Sequence, residues 1–127
     1  MRRPTATLLL CSLLAACAYP YNVGVVAADG ATVELVPGQS ASLPDGKLRY
    51  IRIVNDSRCP PNVQCVWAGD AVIALQWTPS TGSGKAVELH LNPSAGTHQV
   101  DLSTRRVTFV GLQAQGTTAS LHFERLR

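Results

Sequence analysis

The chain is organised around residues 56–70, which read DSRCPPNVQCVWAGD. This stretch holds Cys59 and Cys65, which are two of the four cysteines, as well as one of the two tryptophans and the Pro-Pro pair. The segments on either side are rich in β-branched and aromatic residues that alternate with polar ones, a pattern typical of half-buried strands. The composition therefore predicts a long loop between two β-strands.

Outward from this loop, every segment from residue 32 to residue 127 has the pattern of a strand or a turn. About eight short strands are separated by turn-forming residues roughly every ten positions. No stretch repeats apolar residues with a helical period over three turns. We expect a single all-β domain over residues 32–127, an antiparallel β-sandwich or a small barrel, and we favour the sandwich. The cysteines do not follow the immunoglobulin spacing.

Two strands carry apolar residues at both even and odd positions. In residues 47–54, Ile51 and Ile53 lie on one face, and Leu48, Tyr50 and Val54 lie on the other. Two apolar faces predict a central strand that is buried on both sides. Residues 105–112 are similar, with Val107 and Phe109 on one face and Val110 and Leu112 on the other.

The sequence predicts that residues 1–16 are a lipoprotein signal peptide. Arg2 and Arg3 precede an apolar run that is shorter than the roughly 20 residues needed to span a bilayer. The run ends in Leu14-Ala15-Ala16-Cys17, which resembles a bacterial lipobox. We therefore expect the mature chain to begin at a lipidated Cys17. The alternative is an ordinary signal peptide cleaved after an Ala-x-Ala-like site, with Cys17 incidental.

Residues 17–31 are predicted to form the lipidated N-terminus and a tether to the membrane. Tyr19 and Tyr21 suit the membrane interface. The alternative is that residues 23–27 add an edge strand to the domain. Ala18 stands where an Asp would mark retention in the inner membrane. By resemblance to sorted lipoproteins, we expect an outer-membrane location facing the periplasm.

The charge balance does not favour a strongly basic surface on this protein that would bind an acidic partner. The chain has 11 Lys and Arg against eight Asp and Glu, a formal net charge of +3. Arg2 and Arg3 leave with the signal peptide, so nine basic side chains remain against the same eight acids. The remaining basic residues are scattered along the sequence. Nothing here favours binding to nucleic acid.

An exported domain predicts a disulfide between Cys59 and Cys65. The compartment is oxidising, and Cys17 is consumed by lipid while Cys11 leaves with the signal peptide. Closing so small a ring stabilises the fold by roughly 2 to 2.5 kcal/mol in the loop-entropy description. The bridge is therefore expected to shape the loop rather than to hold the domain together, and Pro60-Pro61 stiffens the ring further.

The loop also carries a sequence signature. Asp56-Ser57-Arg58-Cys59-Pro60, then Val63, then Cys65-Val66-Trp67-Ala68-Gly69 resembles the DSRCPxxVxCVWAG signature of a group of small bacterial lipoproteins, and every motif position matches. The resemblance implies a secreted β-domain with a bridged loop. It implies no particular activity.

Asp56, Arg58 and Trp67 are the candidate binding surface. Rigid loops on β scaffolds commonly carry binding sites, and Arg and Trp are favoured interface anchors. The partner would be an envelope protein or a glycan. The structural alternative is that Asp56 accepts bonds from loop amides and Arg58 pairs with Asp56 or Asp70 or stacks on Trp67. Trp67 would then lie against the sulfurs or cover the end of the sheet.

Other functions have weaker sequence support. Copper or zinc binding would combine Cys59 and Cys65 with histidines, although their spacing is not that of common zinc sites: His90, His98 and His122. A short bridged loop with an exposed Arg58 could also act as a protease-inhibitor loop. We expect no enzymatic activity and no cofactor, because the common hydrolase, metalloprotease and nucleotide-binding motifs are missing from the sequence.

Overall fold

The computed structural model describes residues 24–127, so the predicted signal peptide, Cys17 and the first part of the predicted tether lie outside the described residues. Within this range the chain forms strands and turns without a helix, which confirms the all-β prediction. The nine strands are β1 (Val25–Val26), β2 (Thr32–Leu35), β3 (Ser40–Leu43), β4 (Gly46–Asp56), β5 (Ala71–Pro79), β6 (Lys85–His90), β7 (Gln99–Leu102), β8 (Arg105–Leu112) and β9 (Ala119–Arg125). Residues 24–127 accordingly contain no helix long and apolar enough to cross a membrane.

The strands form two sheets. The five-stranded sheet has the order β1-β3-β4-β5-β6, and the four-stranded sheet has the order β2-β9-β8-β7. All neighbours are antiparallel except β1 and β3, which are parallel. Both sheets contribute to one apolar cluster and the sheets do not close into a barrel. The fold is therefore a β-sandwich.

Alternating side chains explain why the two sheets pack together. On β5 every second residue points into the core, and each of these is nearly or fully buried: Ala71, Ile73, Leu75 and Trp77. The four-stranded sheet supplies the largest facing side chains: Leu35, Phe109, Leu121 and Phe123. Removal of this apolar surface from water is the main stabilising contribution to the fold.

The prediction that residues 47–54 are buried on both faces is wrong. Leu48 and Tyr50 are fully buried, but Ile51 is 41% exposed. The pairing of β4 with β5 shifts register between Tyr50 and Arg52, so Ile51 is the extra residue of a β-bulge. The bulge returns Ile53 to the core side, where it packs against the buried cluster. One buried face with a bulge therefore gives the sequence pattern of two apolar faces.

A second bulge corrects the prediction for residues 105–112. The pairing of β8 with β9 shifts between Phe109 and Gly111. Val110 is consequently 49% exposed, whereas Leu112 is 9% exposed and joins Val107 and Phe109 in the core. The same face buries Arg105 at the start of the strand.

Residues 25–31 are joined to the domain. Val25 and Val26 pair with β3 as an edge strand, which is the alternative predicted for this region, and Ala27 is buried in the core. The carboxylate of Asp29 accepts a hydrogen bond from the backbone N–H of Arg125 at 2.7 Å. The folded unit therefore takes in these residues as well as 32–127.

The sandwich has two distinct ends. Residues 57–70 leave β4 at Asp56 and return at Ala71, and the end of the sandwich that carries them is called the loop end here. Two further connections lie at the loop end: residues 91–98 and 113–118. Residues 36–39 cross between the sheets and hydrogen-bond Tyr50 in the middle of β4. The other connections lie at the opposite end, residues 27–31, 44–45, 80–84 and 103–104.

Candidate functional site

The long loop is closed at its neck, next to the strands. The backbone N–H of Ser57 donates to the carbonyl of Asp70 at 2.7 Å, and the backbone N–H of Asp70 donates to the Ser57 hydroxyl at 3.1 Å. Gly69 lets the two limbs approach, because a Cβ at this position would overlap the carbonyl oxygen of Ser57. Packing at the neck thus explains the glycine in the Trp-Ala-Gly part of the signature.

A disulfide closes the outer part of the loop, as predicted. Cys59 and Cys65 are bridged, with their Cα atoms 5.9 Å apart. Inside the ring the backbone N–H of Val63 donates to the carbonyl of Pro60 at 3.3 Å. Asn62 has a φ of 65°, in the left-handed region that Asn tolerates better than most residues. The bridge, the prolines and this turn together leave the ring few alternative conformations.

Arg58 fixes the base of the loop to the other sheet. Its Nε and Nη2 donate to the two carboxylate oxygens of Asp56 at 2.8 and 2.7 Å. Its Nη1 donates to the carbonyl of Leu112 at 2.8 Å, and Nη2 also reaches the carbonyl of Gln113 at 3.1 Å. The side-chain hydrogen bond from Arg58 lowers the pKa of Asp56, and the carboxylate raises the pKa of Arg58 in turn. The guanidinium is therefore committed to structure.

Asp70 holds the next connection in place. Its Oδ2 lies 2.6 Å from Nδ1 of His90, and its Oδ1 accepts the backbone N–H of Asn92 at 2.8 Å. Burial raises the pKa of Asp70, but the hydrogen bonds from Asn92 and His90 outweigh that effect and leave the pKa below its ordinary value. Gly96 packs against the imidazole ring of His90. These contacts link residues 57–70 to residues 91–98.

The tip of the loop is apolar and exposed. Trp67 is 67% exposed, Val66 is 93% exposed and Val63 is 55% exposed; these three residues are called the apolar tip below. With that exposure Trp67 does not cover the end of the sheet, which was one of the two packings in the structural alternative. Three exposed apolar side chains on one braced loop make this segment the candidate contact surface.

A surface cleft of about 400 Å³ lies between the bridged loop and residues 113–118. Its lining combines the Asp56–Arg58 pair with the outer edge of the ring: Asp56, Arg58, Cys59, Pro60, Pro61, Ala114 and Gln115. The predicted residues Asp56 and Arg58 are therefore adjacent, at the base of the loop, while Trp67 lies on its exposed part.

The histidines and cysteines do not assemble a metal site in the described part of the chain. Cys59 and Cys65 are bridged and offer no thiolate ligand. His90 bonds Asp70, and His122 lies 3.1 Å from the hydroxyl of Thr32. Among residues 24–127 there is no group of three or more His, Cys, Asp or Glu side chains that could hold a metal ion.

Sequence reasoning missed the other two members of the apolar tip. Val63 and Val66 stand in a loop that has no strand period, so neither belongs to a core face, and that is the signal that could have revealed them. The carbonyl partners of Arg58 lie 54 and 55 residues away in the chain and have no sequence signal.

No protein-family model, no curated protein and no solved structure matches the chain. A functional proposal for the protein therefore rests on the loop and its surroundings.

Proposed function

We propose that the protein is a membrane-anchored envelope lipoprotein whose β-sandwich is a non-enzymatic binding module. In this proposal Cys17 carries the lipid, and residues 57–70 form the element that contacts another component of the envelope. The observation that carries it is the apolar tip, where Trp67 is 67% exposed on a loop fixed at its neck, ring and base.

A braced loop suits binding because little conformational freedom is left to lose. Association costs about 0.5–1.5 kcal/mol for each flexible side chain that becomes ordered, and more for a loop that must become ordered. The disulfide and the Arg58 bonds have already fixed this loop in the free protein. Trp also contributes a large apolar surface with few rotatable bonds and is the residue type most enriched at energetic centres of interfaces.

The roles of the candidate residues differ within this proposal. Arg58 and Asp56 brace the loop and form one wall of the adjacent cleft. Trp67 makes the contact with the partner, together with Val66 and Val63 of the same loop. The candidate partners are an envelope protein, a glycan and the membrane that carries the anchor.

The alternatives draw less support from the geometry. Metal binding through Cys59 and Cys65 requires free thiolates, whereas the two sulfurs are bonded to each other. A protease-inhibitor loop would present Arg58 to a protease pocket, whereas its guanidinium donates to Asp56 and to two carbonyls of the neighbouring connection.

Photo-crosslinking from the tip tests the proposal. With p-benzoylphenylalanine in place of Val66, irradiation of whole envelopes should give a defined adduct, because this residue is 93% exposed. The matched control carries the same photoreactive residue in place of Val110, which is 49% exposed on a sheet face. Adducts that form equally at the two positions, or at neither, would contradict a contact role for the loop.

A further inference from the structure

We infer that the loop end of the sandwich is a membrane-docking face, with the apolar tip inserted in the interface of the bilayer that holds the lipid on Cys17. This inference rests on the proposed function and names the occupant of the same loop. It assigns the protein an orientation, in which β4 runs toward the membrane, β5 runs away from it and the opposite end faces the periplasm.

The direction of β1 is the first support. β1 is parallel to β3, and Val25 and Val26 pair with Ala41 and Ser42. Because β3 is antiparallel to β4, a step backward along β1 moves toward Asp56 and the loop end. At residue 24 the N-terminal end of β1 therefore faces the loop end.

The length of the connection is consistent with this direction. Six residues lie between Cys17 and Gly24, and the seven steps from one Cα to the next span at most about 25 Å. Gly24 lies beside Ser40, which pairs with Arg49, and the strand from Arg49 to Asp56 covers about 23 Å. An anchor on Cys17 can therefore lie level with the loop end, and it cannot reach far beyond it.

The charges are distributed unequally between the two ends. Ten of the 17 charged side chains in residues 24–127 lie in the connections, strand ends or C-terminus of the opposite end: Asp29, Asp45, Lys47, Lys85, Asp101, Arg105, Arg106, Glu124, Arg125 and Arg127. The loop end has four by the same criterion, Glu34, Asp56, Arg58 and Asp70. Burial of a charge at a membrane is costly, so this distribution favours the loop end as the docking face.

Three of the four charged side chains at the loop end are held in side-chain pairs. Arg58 and Asp56 pair at 2.7 Å, and Asp70 bonds His90 at 2.6 Å. Among the described residues, Glu34 is the one member of this set without an ion pair. It lies on the outer face of the four-stranded sheet, one residue from the end of β2, where headgroup water can still hydrate it.

One loop of the same end carries three exposed apolar side chains. Of the eight large hydrophobic residues exposed in the described chain, these three belong to residues 57–70: Val63, Val66 and Trp67. Trp prefers the interface of a bilayer, where the ring meets acyl chains and the indole N–H meets headgroups or water. The lipid supplies the attachment, and the tip would set the tilt of the domain.

The two tryptophans allow a direct test with the full-length acylated protein. The protein is reconstituted in vesicles of phosphatidylethanolamine and phosphatidylglycerol, and the difference between wild type and Trp67→Phe isolates the emission of Trp67. Trp77 is 3% exposed and contributes a constant background. We expect blue-shifted Trp67 emission, loss of acrylamide quenching and quenching by brominated acyl chains.

Charge insertion provides the matched comparison. Val66→Asp places a carboxylate in the tip and should restore acrylamide quenching of Trp67 while the protein stays on the vesicles. Val110→Asp places the same group on a sheet face and should leave the shielding of Trp67 unchanged.

Two results would overturn the inference, and a third concerns the proposed function separately. Trp67 that stays open to acrylamide and unquenched by brominated lipid would show that the tip does not enter the bilayer. The same conclusion follows if Trp67 is shielded in whole envelopes but not in pure lipid, since a protein or glycan would then cover it. A mature protein whose mass shows no diacylglyceryl group on Cys17 would overturn the proposed function itself.

Discussion

The guanidinium of Arg58 joins the base of the bridged loop to the four-stranded sheet. It makes two bonds to Asp56 and one each to the carbonyls of Leu112 and Gln113. Asp56 is 35% exposed on its side chain, so solvent screens that ion pair and its own contribution to stability is small. The charged bonds to the carbonyls, one of them partly buried, contribute most.

Arg58→Ala should therefore lower the free energy of unfolding by about 1–3 kcal/mol, since hydrogen bonds from a charged donor contribute about that much. Urea unfolding in a Trp67→Phe background, followed by the emission of the core residue Trp77, would measure it. Arg49→Ala is the control, because Arg49 is exposed on a sheet face and substitutions at such sites change stability by about 0.5 kcal/mol or less. Equal loss in both variants would contradict the bracing role of Arg58.

At the scale of the element, residues 57–70 are a separate unit built on the ends of two strands. The neck bonds between Ser57 and Asp70 close the loop before the disulfide ring begins. The ring residue Cys59 is exposed and Cys65 is half-buried, so neither cysteine belongs to the buried cluster of the sandwich. Order in the ring and stability of the core are therefore only weakly connected.

The double variant Cys59→Ser, Cys65→Ser should remain folded and lose roughly 2 to 2.5 kcal/mol, the loop-entropy value for so small a ring. Thermal unfolding with and without the bridge measures the loss, and in a Trp67→Phe background the near-ultraviolet circular dichroism of Trp77 reports whether the core persists. Wild-type protein treated with a reductant should shift by a similar amount. Collapse of the core signal would show that the bridge holds the fold.

Much of the element pattern could be predicted from the sequence, because alternation reports directly on a half-buried strand. The face of β5 and the inward Leu121 and Phe123 of β9 are confirmed in this way. The bulges at Ile51 and Val110 could not be predicted, because each adds one residue and inverts the alternation beyond it.

The bulge in β4 also changes the distribution of charge. Alternation alone would place Arg52 on the face opposite Lys47 and Arg49. Across the bulge Arg52 pairs with Ala74, so its side chain shares the outward face with the other two. The basic residues scattered in the sequence therefore include a row of three exposed cations on the five-stranded sheet.

The candidate site was partly predictable for a similar reason. The disulfide was predictable from the predicted export and the shortage of other cysteines, and the pairing of Arg58 with Asp56 from their closeness in the chain. The carbonyls of residues 112 and 113 meet Arg58 only because the two sheets pack face to face. Contacts between distant segments of this kind leave no local pattern.

At the scale of the whole molecule, one apolar cluster serves both sheets. Leu121 is fully buried and pairs with Val33 on one side and Phe109 on the other. Trp77 and Leu75 reach the same cluster from the five-stranded sheet. Two sheets that share one core are expected to unfold together in a single transition.

Leu121→Ala should lower the free energy of unfolding by about 2–5 kcal/mol, the usual cost of a large-to-small change in a core. Signals from the two sheets should still be lost together, as monitored by calorimetry and by amide hydrogen exchange. Val110→Ala, at a position that is 49% exposed, is the control and should change stability little. Two separate transitions would contradict a single shared core.

The parallel pairing of β1 with β3 has a mechanical consequence. A pull on residue 24 from the loop end acts along the axis of β1, so its hydrogen bonds to Ser42 and its neighbours are loaded in shear and share the force. An edge strand that ran in the opposite direction would have its first residue at the far end of the sheet. The same pull on that residue would break its hydrogen bonds one at a time, starting from the far end. Drag on the domain would thus be resisted collectively by this short strand, although it contains just two residues.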